Sequence, residues 1–296
     1  MKKIPFTKMA GTGNDFIVVD ARRRQCNGVS RRWSAVSQAL CDRHHGIGAD
    51  GMLLLEPSRS AAAKMRIFNA DGSEAEMCGN GARCVALYLA HSTPRPDPQS
   101  RGGQHTAHSS KAITLETLAG TLSARVQGNR VATRMMEPTE LQLQQSLKVG
   151  ARTIRYGFVN TGVPHMVVAV PNLETIDVEG LGRRLRFHKV FAPQGTNVNF
   201  IQRLGPHRLK IRTYERGVED ETLACGTGMV ASAIVAVLGR AKASSRPQRF
   251  RMTLQPRSGE LVAVSCMAQP QRGTWRVADV VMEGPAQRVF DGEVSV

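Results

Sequence analysis

The sequence predicts a mixed α/β chain of two similarly organised halves, each with strands gathered around a hydrophobic helix. Three observations lead there. Met77-Cys78-Gly79-Asn80-Gly81-Ala82-Arg83 recurs in kind as Ala224-Cys225-Gly226-Thr227-Gly228-Met229-Val230, and an apolar run follows each at once. The second run, residues 229–238, is apolar all round, so it demands burial on every side. Strand-like segments precede both runs, and strands wrapped around a core helix as a barrel meet that demand.

Taken in order, residues 4–20 alternate as strands do, with a turn at Gly11-Thr12-Gly13-Asn14-Asp15 before Phe16-Ile17-Val18-Val19. Residues 33–41 read as a helix ending near His44-His45-Gly46, and strands follow at 51–56 and 64–69 before a turn at Ala70-Asp71-Gly72. The first Cys-Gly-x-Gly helix runs through residues 85–90. Residues 91–110 are rich in Pro, Gly, Ser and His and nearly free of large apolar side chains, which reads as a mobile loop. Strands resume at 111–118, turn near Gly120, and continue at 130–135. In the second half, strands are expected at 152–159, 166–170, 198–201 and 209–214, the third after a segment ending Pro193-Gln194-Gly195-Thr196-Asn197.

A chain of 296 residues has room for two ordinary domains, and 41% hydrophobic against 22% charged residues suits packed cores. No apolar run reaches the length of a membrane helix, and the first residues lack a signal peptide's apolar centre, so the reading is cytoplasmic. Six cysteines without a CxxC pair do not make a disulfide framework, and zinc is not indicated without close-spaced ligand pairs. The formal charge of +16 is the footprint nucleic-acid binders carry. Here it is dispersed in short clusters such as Arg22-Arg23-Arg24 and Arg183-Arg184, with only 5% aromatics to stack bases, so solvated surface is the preferred reading.

The chemistry-bearing candidates begin with Cys78 and Cys225. A helix starting just after each cysteine aims unpaired NH groups and a positive dipole end at the sulfur and at any carboxylate beside it, which favours thiolate. Two such thiols across one carbon suit removing a proton from one face and returning it on the other, whose simplest outcome is stereochemical inversion. Cys84 reads as core, and Cys26, Cys41 and Cys266 carry no functional signal. His165 offers a base for a thiol that titrates near neutral pH. Glu215-Arg216, ten residues before Cys225, offers a second carboxylate base and a guanidinium for a substrate carboxylate. Asn14, Asn69, Asn80 and Asn197 lie in turn contexts that Asn favours for backbone reasons, and their amides equally suit an amino acid head group. Residue physics alone leaves that choice open.

Together these motifs resemble the diaminopimelate epimerase family over nearly the whole chain: GTGNDF, HHGIGADG at 44–51, FNADGSEAEMCGNGAR at 68–83, PHMVV after Val163, GTNVNF at 195–200 and YERGVEDETLACGTG at 214–228, in that order. The resemblance implies a cofactor-independent isomerase interconverting LL- and meso-diaminopimelate, for lysine and peptidoglycan precursor synthesis. It implies two pseudo-symmetric α/β halves, each a curved, mostly antiparallel sheet or barrel around a central helix, with the substrate in the cleft between them. The halves are expected at 1–130, completed by a strand in 285–296, and at 131–284. A homodimer is implied as well. Cys78 and Cys225 map onto the acid/base pair, and His165 and Glu215 onto the groups assisting thiol deprotonation. Gly79, Asn80, Gly226 and Thr227 map onto the amides that hold the reacting carboxylate. Asn14, Asn69, Asn197, Glu215 and Arg216 map onto recognition of the distal amino acid end. Val163 stands where many members carry Asn, and Gly51 where some carry Gln; the 91–110 segment lies outside the resemblance.

Two rival readings are a related cofactor-independent racemase for another amino acid, such as histidine or proline, and a basic nucleic-acid-binding protein on the same fold. Asn197 with Glu215-Arg216 favours a substrate with a second amino acid end over the first rival. The two intact cysteines weigh against the second.

Overall fold

The computed structural model of the chain describes residues 3–23, 32–92, 110–241, 246–271 and 273–295. The chain divides into two compact units, Met1–Thr133 with Gly284–Val296, and Arg134–Glu283. Among the described residues no helix is long and apolar enough to cross a membrane.

In unit one, β1 (Lys3–Gly11) and β2 (Asn14–Asp20) form a hairpin that closes on Thr12 and Gly13, both with positive φ (54° and 83°). Two consecutive positive angles are what a two-residue hairpin turn requires to match strand twist. Helix α1 (Trp33–Cys41) then carries the chain to β3 (Gly51–Glu56), parallel to β2 with Phe16 opposite Gly51. A parallel partner needs such a crossover. Next come β4 (Ala63–Asn69) and β5 (Glu74–Ala75), each antiparallel to its predecessor, then helix α2 (Gly79–Ser92). Finally β6 (Lys111–Thr117) returns parallel to β4, followed by antiparallel β7 (Gly120–Gln127) and β8 (Arg130–Arg134).

Unit two follows the same programme. β9 (Thr139–Val149), β10 (Arg152–Asn160) and β11 (Pro164–Ala169) are antiparallel, and α3 (Val178–Arg186) crosses to β12 (Asn197–Gly205), parallel to β11 with His165 opposite Asn197. β13 (Arg208–Glu215) and β14 (Asp220–Thr222) precede helix α4 (Gly226–Leu238). β15 (Gln248–Gln255) lies parallel to β13, and β16 (Val262–Gln271) and β17 (Thr274–Pro285) complete the run. The last strand, β18 (Gln287–Ser295), pairs antiparallel with β1 in unit one, from Lys3 opposite Ser295 to Ala10 opposite Gln287. There Phe6 and Phe290 pack edge to face at 5.8 Å, and the Thr7 hydroxyl donates to Asp291 at 2.6 Å.

The correspondence reaches single residues. Arg66 on β4 holds Glu74 on β5 with two hydrogen bonds of 2.7 and 2.8 Å. Arg212 on β13 holds Glu221 on β14 in the same way, at 2.7 and 2.6 Å. By register, Phe16 corresponds to His165, Gly51 to Asn197, Leu53 to Asn199 and Phe68 to Tyr214.

Burial explains the sequence patterns. Residues 52–55 of β3 are an unbroken apolar run because both faces are covered: Leu53 and Leu55 join the core around α2, while Met52 and Leu54 join the one beneath α1. Helix α4 is buried from Gly228 to Leu238 except at Val235 and Val237, as its all-round apolarity requires. Each fully buried Leu or Ile contributes roughly 1.5–3 kcal/mol, so a polar residue in these shells calls for a specific partner.

Several elements carry no assignment in the sequence reading, among them β5, β9, α3 and β14 to β17. Helix α3 nevertheless bears its own signals: the Asp177 carboxylate caps the Gly180 NH at 2.8 Å, and Val178 and Leu185 face the core. His91 and Ser92 of the proposed 91–110 loop belong to the end of α2; positions 93–109, like Cys26, lie outside the described residues.

Candidate active site

Each Cys-Gly-x-Gly segment opens a central helix. The Ala82 NH donates to the Cys78 carbonyl at 2.9 Å, and the Met229 NH donates to the Cys225 carbonyl at the same 2.9 Å. Both cysteines therefore stand at the point where helical bonding begins and the following amides lack intrahelical acceptors. In unit one the Gly81 NH donates to the Cys78 Sγ at 3.4 Å. In unit two the Cys225 Sγ lies 3.6 Å from the Thr227 hydroxyl, and the Thr161 hydroxyl donates to the Thr227 carbonyl at 3.0 Å. Cys225 is buried and Cys78 only partly so.

Around Cys78 the polar groups form one directed chain. Arg83, fully buried, donates to the Thr12 hydroxyl at 2.7 Å and to the Asn80 Oδ1 at 2.6 Å. Asn80 donates to the Asn14 Oδ1 at 2.5 Å, and Asn14 donates to Asp50 at 2.9 Å. Arg43 bridges Asp50 and Asp15 at 2.7 and 2.8 Å. Burial alone would raise the Asp15 pKa, but hydrogen bonds from Arg43 and Lys8 overcome it and hold the carboxyl at about 2. Each amide orientation in this chain is set by a neighbour that can only donate or only accept. Asn69, at the end of β4 and opposite Gly51, donates to the Ser73 hydroxyl at 2.9 Å. Thus Asn14 and Asn80 are in direct contact, while Asn69 is engaged with its own turn.

In unit two the Asn197 side chain joins two backbones: its Oδ1 accepts from the Arg216 NH at 2.8 Å, and its amide donates to the Pro164 carbonyl at 3.1 Å. That ties the residue preceding His165 to the Glu215-Arg216 turn. Glu215 accepts from the Thr222 hydroxyl at 2.8 Å; burial raises its pKa, more than that bond lowers it. His165 is wholly buried, which pulls its pKa down to about 3, assisted by the charge of Arg216. Its Nδ1 lies 3.2 Å from the amide nitrogen of Asn199. The Arg216 guanidinium reaches the Gln194 carbonyl at 3.4 Å. Asn160, beside Val163, donates to Glu140 at 3.2 Å and accepts from the Gly162 NH at 3.1 Å.

Residue-level reading of the sequence missed Asn199, Arg83 and Thr222. Arg83 had a visible signal, a cation inside an apolar helix run. Asn199 had one as well, since it is a polar residue between Val198 and Phe200 in a buried strand. Among the described residues no group of three or more His, Cys, Asp and Glu side chains converges as metal ligands would.

The two-unit architecture is shared with solved structures. A hydroxyproline epimerase from Agrobacterium vitis superposes with a TM-score of 0.65 at 18% identity, covering 99% of this chain and 91% of that one. A phenazine biosynthesis protein from Bacillus anthracis superposes with a TM-score of 0.69 at 17% identity, over 100% of both. At such identities the likeness defines the class of fold.

Sequence comparison defines the family. The diaminopimelate epimerase family model matches residues 6–141 and 157–289. The diaminopimelate epimerase of Hydrogenobaculum sp. is 38% identical, covering 98% of each chain, and that of Aquifex aeolicus is 37% identical, covering 98% of this chain and 97% of its own. The chain belongs to the diaminopimelate epimerase family and is an isomerase.

Proposed function

We propose that the protein interconverts LL- and meso-diaminopimelate by a two-base mechanism in which Cys78 and Cys225 are the acid/base pair. The observation that carries this reading is the repeated helix opening, a cysteine whose carbonyl starts the helix at 2.9 Å in each unit. One cysteine enters as thiolate and takes the α-proton; the other enters as thiol and protonates the opposite face. The bond that breaks is Cα–H on one face and the bond that forms is Cα–H on the other, so no net proton is consumed.

The α-proton of an amino acid is very weakly acidic, so the developing negative charge needs preorganised donors. Gly79, Asn80, Gly226 and Thr227 supply backbone NH groups at the two helix openings, where the dipole ends add to them. His165 and Glu215 assist thiol deprotonation, Glu215 being a carboxylate whose affinity for a proton is raised by burial. Asn14, Asn69, Asn197 and Arg216, with Glu215, recognise the distal amino acid end. No step routes through a cofactor. The reading places the enzyme in the cytoplasm as a homodimer, supplying lysine and peptidoglycan precursors; sedimentation of the purified chain tests the dimer.

The direct test is incubation of metal-free, cofactor-free protein with LL-diaminopimelate, followed by chiral chromatography. Growth of the meso isomer to a constant ratio supports the proposal. Turnover of histidine or proline in place of diaminopimelate would assign the same chemistry to another substrate.

A further inference from the structure

The cores of the two units differ at one matched pair of positions. In unit one, Phe16 on β2 and Leu53 on β3 are both buried and apolar. In unit two the corresponding residues are His165 on β11 and Asn199 on β12, both fully buried and bonded to each other at 3.2 Å. Polar groups have thus replaced apolar ones together, at a place where apolar residues serve the fold equally well.

The partners of Asn199 decide which way its amide points. The Met166 carbonyl, 3.0 Å away, can only accept, so it faces the NH₂ group. The Thr213 hydroxyl donates to the Oδ1 at 3.0 Å. Turning the amide over would set two acceptors, the Asn199 Oδ1 and the Met166 carbonyl, against each other. The second NH of the same nitrogen is therefore directed at the His165 Nδ1, which must accept. A neutral imidazole that accepts at Nδ1 carries its proton on Nε2. Among the described residues the buried Nε2 has no hydrogen-bond partner, so that N–H is uncommitted. Burial keeps the ring neutral, with its pKa near 3.

We propose that Asn199 is a positioning residue that locks His165 as its Nε2-protonated tautomer, so that the imidazole serves the acid/base thiols as a hydrogen-bond donor to thiolate and does not take up a thiol proton. Asn199 also adjoins Cys225: its Oδ1 and the Cys225 Sγ both border the space above Gly228. The inference rests on the reading of Cys78 and Cys225 as the acid/base pair, and it assigns His165 a definite part in that chemistry.

The test is proton–nitrogen long-range correlation NMR on the full chain labelled with nitrogen-15 histidine, His165 being identified by its loss in His165→Gln. The expected spectrum near neutral pH has a pyrrole-type Nε2 and a pyridine-type Nδ1. Asn199→Asp, whose carboxylate only accepts, should move the proton to Nδ1 and lower kcat on the order of 10²-fold, with KM unchanged. Asn199→Leu copies Leu53 and should keep the fold while leaving both tautomers populated. A wild-type spectrum with the proton on Nδ1, or an imidazolium, overturns the inference without needing any variant. Wild-type kcat in both folded variants overturns it as well. Failure of the functional proposal is distinguishable, since wild-type protein would then leave diaminopimelate unchanged whatever the tautomer.

Discussion

The Oδ1 of Asn199 occupies the space that a Cβ on Gly228 would need, and the Cys225 Sγ lies 3.3 Å from the same point. In unit one the matching glycine, Gly81, meets instead the end of the Leu53 side chain at 2.9 Å. A leucine methyl swings aside at little cost, whereas Asn199 is held by three hydrogen bonds. Gly228→Ala should therefore cost about 1–3 kcal/mol of stability, the range for overpacking, and most of the activity. Gly81→Ala should cost less of both. Thermal unfolding and initial rates on the two variants check this, and equal losses would contradict it.

Arg83 is the donor that starts the chain through Asn80 and Asn14. Arg83→Met keeps an unbranched stem and removes the guanidinium donors, leaving the Asn80 Oδ1 and the Thr12 hydroxyl without them. The expected loss is about 1–3 kcal/mol, from leaving buried polar groups unsatisfied. Turnover should fall in the folded variant, since Asn80 and Asn14 lose their imposed orientation. Urea unfolding, followed by rate measurements below the transition, separates the two effects.

Acid stability should carry the signature of His165. Its folded pKa of about 3 lies below the ordinary 6.5, so between these values the unfolded chain binds a proton that the folded chain refuses. Stability from this group is complete above pH 6.5 and is lost as pH falls towards 3. In His165→Gln this component should vanish, so the difference between wild-type and variant unfolding free energies should shrink steadily below pH 6.5. A constant difference from pH 7 to 4 would show that the folded ring titrates normally.

Two bases on opposite faces predict an isotopic asymmetry. In heavy water the inverted product should gain deuterium at one α-carbon, while substrate recovered early stays largely unlabelled. Equal early labelling of both isomers would point to a single base.

Arg216 offers a test of distal recognition, because its backbone NH already serves Asn197 and only the guanidinium is lost on truncation. Arg216→Ala should lower kcat/KM for diaminopimelate by about 10- to 150-fold, the equivalent of the roughly 1.5–3 kcal/mol of a hydrogen bond to a charged group. Full activity in this variant would mean that another residue reads the distal carboxylate.

The parts of this protein written in the sequence alone are those whose physics is local. A cysteine followed by Gly-x-Gly and an apolar run specifies a helix opening within a few residues, and both openings form as read. The strand alternation of residues 4–20 and the turn at Thr12-Gly13 are local in the same sense. Tertiary structure decided what depends on distant partners. Strand β18 finds β1 across almost the whole chain, and nothing in 287–295 names that partner except family resemblance. Helix α3 went unread because its charged residues mask an apolar stripe that only the packed sheet defines. Asn199 is an ordinary strand residue until Met166 and His165, more than thirty positions away, turn its amide and its partner's tautomer one way. Hydrogen-bond direction is a property of three-dimensional neighbours, so a linear pattern carries the residue but not its role.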